Sequence, residues 1–290
     1  MKTSGARSIV TSASNKFFPS VLNLIGSIKE NYIAHPHIYV WDLGLFPTFR
    51  HELSNIEGVT VVPMPHFNSF WRKCYTWKTY IFTNPFTDTS LYLDAGTQVL
   101  QSLDEVFTQI ENDGYIAVGQ AIPCELIVPS EYITILSMHN LDLQKEVVTA
   151  GMFGFSKHDP NIQKVIQATH DASSSGLCLG FSPSEQWKNK PPNKTFFIRD
   201  CKLFRHDTTL LSIFLHRIMP DAKITDLSLF SDERHGEEHF VWNLRLLYSK
   251  LDYISPKYTR SKKNVITWVN RAYVQAFFML KKLSKILKRN

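Results

Sequence analysis

The sequence predicts an α/β fold in which a mixed, mostly parallel sheet is flanked by helices. Short apolar runs rich in β-branched and aromatic residues alternate with helical stretches over residues 1–155, which is typical of a sheet with crossover helices. Of the 290 residues, 43% are hydrophobic, which is enough to bury an ordinary core. A long amphipathic stretch over residues 264–287 predicts one further helix at the C-terminus.

Each predicted element depends on a local pattern. The first helix starts at about Pro19, because apolar residues recur at helical spacing from Val21 to Ile28. Residues 171–194 are rich in Ser, Gly, Pro and Asn and predict a long loop. We predict further helices over residues 70–82, from residue 102 and over residues 207–219, and strands over residues 9–11, 37–41, 59–62, 90–94, 115–118 and 149–155.

The positive charge of the chain is concentrated near its end. From Lys257 onward there are ten Lys or Arg residues and no Asp or Glu, so removing these ten from the net charge of +6 leaves −4 for the residues before them. We therefore predict a domain over residues 1–255 and a basic helical tail over residues 256–290. The acidic balance of the domain argues against a nucleic-acid partner.

The predicted tail helix has one broad apolar stripe and a cluster of lysines at its end, with too many charges to span a bilayer. In one interpretation it lies on an anionic membrane surface, with Trp268 and Tyr273 at headgroup level. In the other, the stripe packs on the domain and only the last basic turn meets water.

The cysteines and the first residues predict a cytoplasmic protein, either free or peripheral at the inner face of a membrane. The apolar run at Ile9 and Val10 is too short for a signal peptide. The four cysteines contain no C-x-x-C pair, which excludes a zinc ribbon or a dense disulfide framework: Cys74, Cys124, Cys178 and Cys201.

The candidate site starts from Asp94, which ends an apolar strand. In open α/β sheets ligands bind at the carboxyl ends of the strands, so an acid there is a candidate binding residue. The alternative interpretation is that Asp94 only caps the turn toward Gly96.

The stretch from Leu91 to Leu100 resembles the aspartate-containing strand end of GT-A-fold glycosyltransferases, especially the glycogenin and lipopolysaccharide-galactosyltransferase group. Three further segments follow in that family's order. They are the end of the first strand, the basic residue upstream of the acid, and a strand like the family's Asn-Ala-Gly segment: Thr11-Ser12-Ala13-Ser14, Trp77-Lys78-Thr79-Tyr80 and Thr149-Ala150-Gly151-Met152-Phe153-Gly154-Phe155.

This resemblance implies a hexosyltransferase-like enzyme that moves a sugar from a nucleotide-diphosphate-sugar donor to a hydroxyl of a glycan or lipid-linked acceptor. It implies a Mn²⁺ or Mg²⁺ ion held by Asp94 and His235, a charge-clamping role for Lys78, and Asp207 facing the sugar. Lys78 could instead belong to a solvated helix face with Arg72 and Lys73, and Asp207 could instead cap its helix. The donor-binding residues implied are Thr11, Ser12, Ala13, Asp94, Gly96, Ala150 and Gly151.

The sequence departs from the family where Gly96 replaces the second acid and Thr149 replaces the asparagine. Two rival functions stay open. One is a binding protein that keeps the fold without turnover. The other is a zinc peptidase, because His235, Glu238 and His239 fit the H-x-x-E-H pattern.

Overall fold

A computed structural model describes residues 6–179, 204–226 and 240–243 with their side chains, and the backbone of residues 230–231. Within these ranges the helices are α1 Phe18–Asn31, α2 Pro47–Ser54, α3 Thr76–Thr83, α4 Asp104–Asp113, α5 Ser130–Ile135, α6 Pro160–Ser174 and α7 His206–Ile218. The strands are β1 Arg7–Ala13, β2 His37–Asp42, β3 Val59–Pro63, β4 Thr89–Leu93, β5 Thr97–Val99, β6 Tyr115–Pro123, β7 Glu146–Ser156, β8 Phe230–Ser231 and β9 Val241–Asn243.

The strands form two sheets. The central sheet has the order β3-β2-β1-β4-β7-β6, and the small sheet has the order β5-β9-β8. Strands β1, β2 and β3 are parallel, with Ile9 paired to Ile38, whereas β6 and β7 are antiparallel. The mixed, mostly parallel sheet with flanking helices confirms the predicted fold class.

The chain divides into two compact units. Unit 1 comprises Met1–Arg7, Pro65–Tyr92 and Asp104–Leu229, and unit 2 comprises Ser8–Met64, Leu93–Leu103 and Phe230–Asn290. The proposed single domain over residues 1–255 and the tail over residues 256–290 stay predictions.

Unit 2 is built around helix α1. The ring of Phe18 stacks on that of Phe49 with centroids 4.0 Å apart. On the small-sheet side, the amide of Val99 donates to Oγ of Ser27, and Nδ2 of Asn31 donates to the Val99 carbonyl. These contacts hold β5, and the turn that precedes it, against the helix.

Unit 1 is built around strand β7, whose nine central residues are all buried. Phe82 of α3 packs with its ring centroid 5.2 Å from Phe153 and 5.9 Å from Phe155. A side chain at Gly154 would collide with the side chains of Ile110 and Ile116, so a larger residue there would require these to shift. Helices α6 and α7 pack on each other and α7 packs on β7, which brings the start of α7 close to the middle of the strand.

Two predicted elements differ from the structure. The helix predicted over residues 70–82 begins only at Thr76, because Cys74 and Tyr75 have φ of 52° and 57°, which a right-handed helix does not admit. The loop predicted from residue 171 begins later, since α6 continues to Ser174.

Helix α6 has no counterpart among the predicted elements, although its start is visible in the sequence. Asp159 caps the helix by accepting from the amides of Asn161 and Ile162, and Pro160 follows it. A capping Asp followed by Pro is a strong helix-start signal.

Among the described residues, no helix has the length and apolarity needed to cross a bilayer. The predicted tail helix over residues 264–287 and the H-x-x-E-H segment from His235 to His239 lie outside the described residues. Of the four cysteines, the three that the structure describes are buried free thiols: Cys74, Cys124 and Cys178.

Candidate active site

The most unusual polar feature of unit 1 is a buried ion pair between Lys78 and Asp207. Nζ of Lys78 lies 2.7 Å from Oδ2 of Asp207, and the two residues are only 3% and 5% exposed. Nζ also donates to the carbonyl of Ala150 at 3.4 Å. The pair therefore joins α3, α7 and the middle of β7, and it excludes the solvated-face interpretation for Lys78.

Aromatic rings enclose the ammonium group. Nζ of Lys78 lies 5.4 Å from the ring centroids of both Tyr75 and Tyr92 and 5.8 Å from that of Trp77. Each is within the distance at which a ring attracts a cation. Because little water reaches this position, the charges act on each other, and on any ligand, more strongly than they would at the surface.

Arg72 and Lys73 behave differently from Lys78, since both are exposed. Arg72 lies over the ring of Trp71 at 4.7 Å. The two residues are solvated as expected, but they precede α3 and so do not lie on a helix face. Lys78 is the buried cation of the segment.

Asp207 is the second residue of α7, where the positive end of the helix dipole favours a carboxylate. The helix-cap interpretation of Asp207 is wrong, because Arg205 occupies the cap position and no side chain caps the helix. Oδ2 of Asp207 is paired with the Lys78 ammonium at 2.7 Å. A carboxylate oxygen has two lone pairs, so this contact does not use the whole accepting capacity of the side chain.

The sequence places Ala150 and Gly151 in the site, and the structure brings both to the middle of β7 beside the ion pair. The amide of Ala150 donates to Oγ1 of Thr208 at 3.4 Å, and the amide of Gly151 donates to Oγ1 of Thr149 at 3.1 Å. Thr149 stands where the resembling family has an asparagine, and its hydroxyl accepts a hydrogen bond within its own strand β7. The bond from Ala150 to Thr208 joins the start of α7 to β7.

Backbone strain is concentrated around the pair. Cys74, Tyr75 and His206 have φ of 52°, 57° and 36°. Residues other than Gly rarely have positive φ, although Asn, Asp and His adopt it more often than the rest. The rings of Tyr75 and His206 lie 5.7 Å apart. Strained residues persist where the surrounding structure holds them, and they are frequent at functional sites. The sequence carries no signal for this strain, because it depends on how the flanking segments pack.

The other predicted site residues belong to unit 2. Thr11, Ser12 and Ala13 end strand β1 and are buried. Oγ1 of Thr11 finds no hydrogen-bond partner among the described residues. Within the described ranges, the buried hydroxyl near the end of this strand therefore has hydrogen-bonding capacity left over.

Asp94 follows β4 and opens the turn that contains Gly96. Both the amide and Oγ1 of Thr97 donate to the main-chain carbonyl of Asp94, at 3.0 and 2.7 Å. These two bonds close the turn through the main-chain carbonyl of Asp94. The side chain is partly exposed.

Asn243 is a candidate that sequence reasoning missed. It lies on β9 directly across from Thr97, next to the Asp94 turn. The residue is buried, and neither atom of its amide has a hydrogen-bond partner within the described part of the chain. A buried amide without partners is costly unless a ligand supplies them, but an isolated Asn has no motif that would reveal this.

The described residues do not by themselves form a divalent-metal site. They contain no group of three His, Cys, Asp or Glu residues that could hold an ion. His235, the predicted second ligand, is outside the described ranges, and Gly96 stands where the resembling family has its second acid.

Comparison with solved structures places this fold among those of glycosyltransferases. The apo structure of the bifunctional glycosyltransferase WbbM matches with a TM-score of 0.53 and 11% identity over 88% of this chain, which spans 50% of WbbM. The galactosyltransferase LgtC, solved in complex with donor and acceptor sugar analogs, matches with a TM-score of 0.53 and 13% identity over 88% of this chain and 98% of LgtC. At these identities the likeness concerns the fold. No protein-family model matches the sequence, and no curated protein matches it.

Proposed function

We propose that this protein is a glycosyltransferase that moves a sugar from a nucleotide-diphosphate-sugar donor to an acceptor hydroxyl. The observation that carries the proposal is the buried Lys78–Asp207 pair, with a nitrogen–oxygen distance of 2.7 Å, in a fold shared with solved glycosyltransferases. Buried ion pairs contribute little net stability, since desolvation offsets their attraction. A binding or catalytic role explains the pair better than a structural one.

The reaction requires negative charge to be stabilised as the donor breaks. The bond between the sugar's anomeric carbon and the diphosphate oxygen breaks, and the nucleoside diphosphate leaves with the bonding electrons. The acceptor oxygen forms the new bond to that carbon, and its proton passes to the departing diphosphate. In this proposal the Lys78 ammonium stabilises charge that develops on the leaving group, and its low-polarity surroundings strengthen the effect.

Asp207 takes the complementary role of positioning the sugar. A carboxylate has more accepting sites than its contact with Lys78 uses, so Asp207 can also accept a hydrogen bond from a sugar hydroxyl. Holding the sugar in one orientation contributes to catalysis because it replaces a chance encounter with a fixed geometry.

The donor nucleotide is assigned to the strand end at Thr11, Ser12 and Ala13, and its diphosphate to the Asp94 turn. Strand ends and the turns that follow them are where ligands bind in open α/β sheets. Support for the assignment comes from the Thr11 hydroxyl, which has no hydrogen-bond partner among the described residues.

That Mn²⁺ or Mg²⁺ assists the transfer, held by Asp94 and His235, stays a proposal. It is based on the resemblance of the sequence to GT-A-fold glycosyltransferases. Such an ion would supply positive charge at the donor diphosphate. The described residues contain no complete set of ligands for it.

The glycan or lipid-linked acceptor, the anionic membrane surface and the cytoplasmic location likewise stay proposals from the sequence. A nucleotide-sugar-binding protein without turnover is the alternative. It shares the binding site and differs only in whether the donor is consumed.

The test uses uridine, guanosine and cytidine diphosphate sugars, with and without Mn²⁺, in a thermal-shift assay and in an assay of nucleoside diphosphate release. A donor present at a hundred times its dissociation constant stabilises the protein by about 2.7 kcal/mol. A shift together with release supports transfer, and a shift without release supports the binding protein. No shift with any donor in either condition overturns the proposal.

A further inference from the structure

Tyr75 presents a large aromatic ring to solvent next to the buried ion pair. The residue is 49% exposed, which is unusual for a large aromatic side chain in this protein. Its ring centroid lies 5.7 Å from that of His206 and 5.4 Å from Nζ of Lys78. The ring centroid of Trp77 lies 6.1 Å from that of Tyr75. All of these residues belong to unit 1.

The backbone that carries this ring is strained and firmly held. Cys74 and Tyr75 are consecutive left-handed residues, a conformation that costs free energy when the residue has a side chain. Sγ of Cys74 donates to the carbonyl of Cys178 at 3.3 Å, and the amide of Lys78 donates to the carbonyl of Tyr75 at 2.8 Å. Glycine would adopt the same φ without strain. The strain at these positions therefore accompanies the placement of the Cys74 and Tyr75 side chains.

An exposed, fixed aromatic plane matches the chemistry of one face of a pyranose sugar. The axial C–H groups of a sugar ring form a weakly apolar face that packs on an aromatic ring, while its hydroxyls extend outward to polar partners. Aromatic residues supply this kind of contact at low entropic cost, because they have two side-chain torsions. Here the ring is further restrained by its neighbours His206 and Trp77.

We propose that Tyr75 is the stacking platform for a pyranose ring of the sugar acceptor. The inference rests on the proposed function. Lys78 and Asp207 are more than nine-tenths buried and suit the transferred group, which must be shielded from water. Tyr75 is half exposed beside them and suits the group that arrives from solvent. The nucleobase of the donor is the other planar ligand that could stack there, and the experiment separates the two.

The experiment measures binding of three probes to the full chain by ligand-detected NMR: the methyl glycosides of galactose, glucose and mannose. Tyr75→Asn removes the ring but tolerates the left-handed backbone, and Tyr75→Phe keeps the stacking surface. Phe86→Asn is the matched control, because Phe86 is another exposed aromatic of unit 1, at 38%. Thermal unfolding of each variant verifies that it folds.

We expect at least one glycoside to bind, and Tyr75→Asn to weaken it by about tenfold, in line with the contribution of an aromatic contact. Tyr75→Phe and Phe86→Asn should stay close to the unaltered protein. The platform proposal is overturned if no glycoside binds, if Tyr75→Asn binds as well as the unaltered chain, or if Phe86→Asn is equally impaired.

A parallel arm measures the thermal shift by nucleotide sugars and by the free nucleoside diphosphates. If Tyr75→Asn loses this shift but keeps glycoside binding, Tyr75 contacts the nucleobase and the inference is wrong while the proposed function stands. If the unaltered protein shows no shift with any donor, the proposed function itself fails.

Discussion

Nζ of Lys78 and Oδ2 of Asp207 lie 2.7 Å apart with both side chains more than nine-tenths buried. The two charges balance each other, so either one left alone would be a buried charge without a counterion. Removing one partner of such a pair is destabilising, whereas replacing both with apolar groups is often tolerated. This asymmetry allows stability and activity to be separated by experiment.

We predict that Lys78→Met destabilises the protein by about 3–5 kcal/mol, because Asp207 is left buried and unpaired. The double variant Lys78→Met with Asp207→Leu should recover most of this loss. Neither variant should transfer sugar. Urea denaturation and donor turnover measure the two properties, and a double variant that regains activity would remove the pair from the mechanism.

Asp94→Asn should fold normally and lower transfer by roughly a hundredfold or more, the effect of losing a main electrostatic stabiliser. Its matched control is Asp104→Asn. Asp104 starts helix α4 and pairs with Arg7 at 3.1 Å, with 60% of its side chain exposed, so its loss should cost little. Equal turnover by Asp94→Asn and the unaltered protein would contradict a role for this carboxylate.

Asn243→Leu should raise the melting temperature and weaken nucleotide-sugar binding. The substitution removes a buried amide that has no hydrogen-bond partner within the described residues, and removing such a group relieves a desolvation cost. Thermal unfolding with and without donor measures both effects. Ser54→Leu, at an exposed position of unit 2, is the control for a general effect of added apolar surface. Unchanged donor binding in Asn243→Leu would exclude contact with the ligand.

His216 should make stability depend on pH. Burial lowers its pKa from 6.5, against the opposing effect of its contact with the Glu146 carbonyl. Nε2 donates to that carbonyl at 2.6 Å, while buried Nδ1 has no partner among the described residues, so a second proton would be unsatisfied. Lys145 also disfavours the charged ring, whereas Asp142 favours it.

Because the folded-state pKa of His216 lies below the unfolded value, its contribution is complete above pH 6.5 and is lost as the pH falls through the folded-state pKa. His216→Gln should therefore lose less stability than the unaltered protein when the pH is lowered. Urea midpoints above and below pH 6.5 measure this, with His51→Gln, at an exposed histidine, as control. Identical pH profiles for His216→Gln and the unaltered protein would show that His216 does not contribute.

The basic tail should bind anionic membranes. Its apolar stripe and lysines predict co-sedimentation of the full chain with anionic vesicles at low salt, and weaker binding to neutral ones. A version ending at Tyr258 should lose this binding. The tail is not an anchor if the truncated protein binds equally well, or if the full chain does not bind at all.

Several features of the site could be predicted from local sequence. The strand before Asp94, the start of the helix at His206 and Asp207, and the buried strand around Ala150 follow from apolar runs and helix-start residues. The start of α3 could not be predicted, because residues 70–75 contain no Gly or Pro that would mark a break before Thr76. Their left-handed turn at Cys74 and Tyr75 depends on contacts with distant residues such as Cys178.

The α/β class, most of the elements and the candidates Lys78 and Asp207 could be predicted from the sequence, because periodicity and short motifs are local properties of the chain. That these two residues form one buried pair could be seen only in the folded structure, since it depends on α7 packing against β7 and on α3 lying beside both. It also decided that Lys78 is buried whereas Arg72 and Lys73 are exposed. Which side of an irregular segment faces the core depends on long-range packing, and no local pattern records it.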